Sequence, residues 1–104
     1  MINLNLKEED NFASISEGGP GSITGKLNKF PLETLLESVS NYSIKGLSEA
    51  KVQIDEGNIF QSPVILLYDK KKEKSAVCLI RRDLKGPTHY QIYNYSEPQD
   101  IFED

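Results

Sequence analysis

Cys78 and His89 are the only cysteine and the only histidine in the chain, so they form the only possible thiol–imidazole pair. An imidazole that takes the thiol proton creates a thiolate nucleophile, and Asp83, Gln91 or Asn94 would be at hand to orient the ring. The chemistry open to such a pair is that of a small hydrolase or transferase. Against this stands the setting of Cys78 inside Ala76-Val77-Cys78-Leu79-Ile80, an apolar run in which a small buried thiol is the simpler expectation. The balance favours a protein that is not an enzyme.

Other chemistries are weaker. A single cysteine and a single histidine, with no closely spaced partner ligand, do not make a metal centre, so no metal is expected. The stretch Gly18-Gly19-Pro20-Gly21-Ser22-Ile23-Thr24-Gly25-Lys26-Leu27 ends in Gly-Lys like a phosphate loop. It carries Pro20 where that loop needs its first glycine, and Leu27 where it needs a hydroxyl to hold magnesium. A turn is the better reading, and no cofactor is expected. The paired acids Glu8-Glu9-Asp10 and Asp55-Glu56 are consecutive rather than set across a cleft, which suits solubility more than acid–base catalysis.

Charge is more informative by position than in total. Sixteen acidic and twelve basic residues give a net charge of −4, which disfavours non-specific attraction to nucleic acid. Yet Lys70, Lys71, Lys72, Lys74, Arg81, Arg82 and Lys85 face only Glu73 and Asp83 over residues 70–85, a local charge of +5. Tyr90, Tyr93 and Tyr95 follow closely. A basic hairpin beside stacking rings is the nucleic-acid-binding alternative. Tyrosines and arginines also make the anchors of protein interfaces. The expected partner-binding set is therefore Tyr90, Tyr93, Tyr95, Arg81 and Arg82, joined by Ile101 and Phe102 from the acidic stretch 97–104.

These residues need elements to hold them. With 104 residues, 38% hydrophobic and 27% charged, the composition is that of one globular domain, with 97–104 as an acidic tail. One cysteine excludes an internal disulfide, no apolar run is long enough to cross a bilayer, and the amino terminus lacks a leader pattern, so a cytoplasmic location is expected. Leu32, Leu35, Leu36 and Val39 recur at helical spacing after Pro31, which predicts one amphipathic helix over about 31–41. Ile2-Leu4-Leu6 and Ala50-Val52-Ile54 alternate as strands. Val64–Tyr68, Ala76–Arg82 and His89–Tyr95 are separated by short polar turns. The fold predicted is α+β, an antiparallel sheet of about four to six strands with the helix packed on one face and the other face partly wet. The function predicted is a small protein-binding module, of inhibitor, immunity or adaptor type. Its partner would be another protein, with self-association as a further option and no transmembrane segment.

Overall fold

The computed structural model describes residues 1–16, 41–82 and 88–96. Six strands account for most of them: β1 (Ile2–Leu6), β2 (Asn11–Ser16), β3 (Tyr42–Ile54), β4 (Ile59–Asp69), β5 (Lys74–Arg82) and β6 (Thr88–Asn94). The only helical element among the described residues is a single 3-10 turn, Glu8–Asp10. The α+β expectation is thus overturned in favour of an essentially all-β chain. The helix expected over 31–41 falls outside the described residues except at Asn41, whose φ of 55° is not that of a right-handed helix.

One sheet holds all six strands in the order β1-β3-β4-β5-β6-β2. Its centre is the meander β3 to β6, with antiparallel pairs throughout. At the edges, β2 joins β6 antiparallel, whereas β1 joins β3 in parallel register from Ile2↔Ala50 to Leu6↔Ile54. The sheet is therefore not purely antiparallel.

The chain order then dictates curvature. β1 and β2 lie at opposite edges, and only residues 7–10 connect them. A flat sheet of six strands would set those edges about 24 Å apart at ~4.8 Å per strand. Five residue steps from Leu6 to Asn11 reach at most about 17 Å, and less through a 3-10 turn. The sheet must curl, and it forms a half-barrel that brings its edges within reach of one short crossing.

Curling gives the sheet an inner face that it covers itself. Leu4, Leu6, Ala50, Val52, Val64, Val77, Leu79, Tyr93 and Tyr95 cluster there. The Tyr93 hydroxyl on β6 lies 3.2 Å from Glu8 Oε2, just past the end of β1, so the face termed inner is the one turned toward that crossing. The second face carries Tyr42, Ile65, Leu67, Ala76, Cys78, Tyr90 and Ile92, with Phe12, Ile44 and Ile80 packed against them. Both faces are buried at the centre of the sheet, so the expected wet face is not found there. The central strands show this in sequence: Val64–Leu67 and Ala76–Leu79 are continuous apolar runs rather than alternating ones, as strands buried on both sides require.

β3 begins eight residues before the alternation at Ala50 suggests. A register shift between Ile44 and Gly46 changes which face its even-numbered residues occupy. Tyr42 and Ile44 join the second face, while Ala50 and Val52 join the inner one. No helix among the described residues is long and apolar enough to cross a membrane.

Candidate functional site

The three tyrosines expected to form a contact face are core residues. Tyr90 and Tyr93 are almost wholly buried and Tyr95 is 8% exposed. They are also split between the two faces, since Tyr90 belongs to the second cluster and Tyr93 and Tyr95 to the inner one. The alternation of side chains along β6 enforces that split. The Tyr93 hydroxyl works inside the fold, within 3.2 Å of both Glu8 Oε2 and Gln91 Oε1. These rings offer neither a protein anchor nor a stacking platform on the surface.

Arg81 and Arg82 close β5, opposite His89 and Thr88 of β6. Lys74 opens the same nine-residue strand, so the lysines of residues 70–74 and this arginine pair stand at opposite ends of β5. Ile101 and Phe102 lie outside the described residues.

Cys78 is buried at 0% exposure and pairs with Ile92, whereas His89 pairs with Arg81 three positions along the ladder. That offset separates the two backbones by about 10 Å at ~3.4 Å per residue. Desolvation pushes the Cys78 thiol up to about 12, so it is neutral at physiological pH. The thiol donates weakly to the Leu79 carbonyl oxygen at 4.0 Å. Burial thus works against the thiolate that the cysteine–histidine reading requires. Among the described residues no group of three or more histidine, cysteine or acidic side chains is arranged to hold a metal ion.

Among the described residues the longest run of exposed charged side chains lies at the turn between β4 and β5. Lys70, Lys71, Lys72 and Lys74 are all exposed there. Their arrangement is set by Asp69, a carboxylate only 1% exposed, whose Oδ1 accepts the N–H of Lys71 at 2.9 Å and of Lys72 at 3.2 Å. An aspartate accepting hydrogen bonds from the backbone two and three residues ahead folds the chain into a tight turn. With Asp69 turned inward, the lysine side chains are left to the solvent.

Neighbouring elements brace the same turn. Lys70 N–H donates to the Asn41 carbonyl at 3.3 Å, tying the turn to the start of β3. Lys72 Nζ sits 4.0 Å from the centre of the Phe12 ring of β2, and Lys45 Nζ of β3 sits 5.5 Å from the Tyr68 ring of β4. Both distances fall within cation–π range. The result is a group of five lysines around one corner of the half-barrel, assembled from β2, β3, β4, β5 and a turn. Sequence inspection finds Lys70–Lys74 by charge alone. It misses Lys45, Phe12 and Tyr68, because the pairings that set β3 beside β4 and β2 beside β6 are long-range.

The class defined by this fold and site is an all-β half-barrel with a braced lysine turn. Compared with protein-family models, with curated proteins and with solved structures, the chain shows no match to any of them.

Proposed function

We propose that this protein is a small non-enzymatic binding module whose lysine turn docks onto an acidic surface of a partner protein. The observation that carries the reading is the Asp69-shaped turn, which holds Lys70, Lys71, Lys72 and Lys74 outward on a chain whose net charge is −4. A local field opposite to the overall charge favours one orientation of approach and repels wrong ones. An acidic protein suits it better than nucleic acid. The tyrosines that would stack bases are inside the fold, and the remaining acidic surface repels an extended phosphate backbone.

Fluorescence anisotropy with a labelled octaglutamate peptide tests this reading. Replacing Lys70, Lys71, Lys72 and Lys74 together by glutamate is expected to weaken binding at least tenfold, and the wild-type affinity is expected to fall steeply with salt. Unchanged affinity in the variant overturns the proposal. So does a single-stranded oligonucleotide of equal charge that binds tenfold more tightly than the peptide.

A further inference from the structure

Among the described residues, the strand beside this turn has an incomplete ladder. β3 is 13 residues long, and β4 pairs with it from Tyr42 to Gln53 on one side. On the other side β1 pairs only from Ala50 to Ile54. No strand among the described residues pairs with that outer edge from Ser43 to Glu49. Backbone N–H and C=O groups along such an edge are a template for another strand.

The side chains here leave the edge approachable. Lys45, Leu47 and Glu49 are exposed, and Leu47 is 56% exposed although it is a large apolar residue. A Cβ built on Gly46 would meet nothing within 4 Å. The edge also carries two devices that discourage indiscriminate pairing: the register shift between Ile44 and Gly46, and the cation of Lys45. A lysine on an edge repels a basic strand and attracts an acidic one, and Glu49 at the other end of the run favours a segment whose acids sit toward Lys45. Lys70 is hydrogen-bonded to Asn41 at the head of the same strand, and Lys71 and Lys72 follow it in the turn. One end of the open edge is therefore strongly positive.

We propose that the outer edge of β3 from Ser43 to Glu49 takes up an extended acidic segment of a partner protein as an added strand, with Lys45, Lys70 and Lys71 meeting its carboxylates. The inference rests on the reading above that the lysines meet an acidic protein, and it states how that protein is held. Charge selects the segment, while main-chain hydrogen bonds continue the line along the edge that β1 occupies from Ala50 onward. Leu47 supplies an apolar contact within the run.

The test uses the full chain and a labelled ten-residue peptide alternating glutamate and valine. A second peptide is N-methylated at every residue, which keeps the charges and removes every ladder donor. Anisotropy is expected to show at least tenfold weaker binding of the methylated peptide, and about fivefold weaker binding of the unmethylated one to Lys45→Glu. Amide hydrogen exchange is expected to slow at least fivefold at alternate positions between Ser43 and Glu49 when the unmethylated peptide is added. Equal binding of both peptides, with exchange in that segment unchanged, overturns strand addition and leaves the lysine docking intact. Failure of both peptides to bind overturns both.

Discussion

Asp55-Glu56-Gly57-Asn58 joins β3 to β4, and Lys70-Lys71-Lys72-Glu73 joins β4 to β5, so two four-residue turns close opposite ends of one strand. They use their aspartates in opposite directions. In the first, Asp55 and Glu56 have φ of 52° and 58°, and Gly57 N–H returns to the Ile54 carbonyl at 2.8 Å, the pattern of a tight hairpin turn with both central residues left-handed. Asp55 then reaches outward. Its N–H donates to the Leu6 carbonyl at 2.9 Å, and its Oδ2 accepts Glu8 N–H at 3.2 Å, which fastens the segment that crosses from β1 to β2. In the second turn Asp69 reaches inward and binds the backbone of its own turn. An aspartate used outward holds the curled sheet together. One used inward frees its neighbours for the surface, and those neighbours are lysines.

The comparison is broken most directly at the two aspartates. Asp69→Ala removes a buried acceptor of two backbone N–H groups and is expected to lower unfolding stability by about 2–3 kcal/mol, measured by urea denaturation. Asp69→Asn retains one acceptor and is expected to cost about half as much. Asp55→Gly keeps the left-handed backbone at little steric cost and loses only an exposed hydrogen bond, so about 0.5 kcal/mol is expected. If Asp55→Gly proves the more damaging change, the assignment of turn-shaping to Asp69 fails.

Gly57 sharpens the contrast from the first turn's side. A Cβ placed there would meet the Ile54 carbonyl oxygen at 3.0 Å, in a turn already closed by a hydrogen bond to that same atom. Gly57→Ala is expected to cost about 1–2 kcal/mol by the same denaturation measurement. No residue of the lysine turn has that constraint, so an alanine at Lys71 is expected to change stability by less than about 0.5 kcal/mol.

The sequence made some of this visible. The alternation of Ile2-Leu4-Leu6 and Ala50-Val52-Ile54 locates β1 and the second half of β3, and the apolar runs of β4 and β5 stand out between polar turns. The first half of β3 does not, because Ser43, Gly46 and Ser48 dilute the pattern and the register shift breaks its phase. The curl of the sheet is hidden for a different reason. It follows from β1 and β2 pairing at opposite edges, a long-range fact that no local pattern encodes. Without the curl, a sheet has no means of covering its own face, and the search for a covering helix becomes compelling. The site suffers the same limit. Tyrosines are equally at home in cores and interfaces, so Tyr90, Tyr93 and Tyr95 read as a surface until both faces of β6 are seen to be buried.

Glu73 offers a gain rather than a loss. Its φ of 54° is left-handed, a region costly for residues with a Cβ and open to glycine. Glu73→Gly is expected to stabilise the fold by about 0.5–1 kcal/mol in the same denaturation assay. It also raises the positive charge of the turn by removing its only acid, so octaglutamate is expected to bind more tightly. A stabilised variant with weaker binding would show that Glu73 shapes the lysines and does not merely dilute their field.

The smallest expected effect concerns Lys72, which separates bracing from presentation within the lysine turn itself. Its Nζ lies 4.0 Å from the Phe12 ring centre, and Phe12 is half-buried against the second cluster. A cation over a ring at a partly exposed site contributes about 0.5–1 kcal/mol. Lys72→Gln keeps much of the aliphatic stem but loses the charge, and is expected to cost about 0.5 kcal/mol, whereas Lys70→Gln, with no ring contact assigned to it, should cost less. A double-mutant cycle with Phe12→Leu isolates the ring term, with a coupling of about 0.5 kcal/mol expected. Because Phe12 belongs to β2 and Lys72 to the turn after β4, such a coupling would show that the turn is fastened across the half-barrel as well as from within by Asp69. Zero coupling would leave the inward aspartate and the Lys70–Asn41 backbone hydrogen bond to shape the lysine surface.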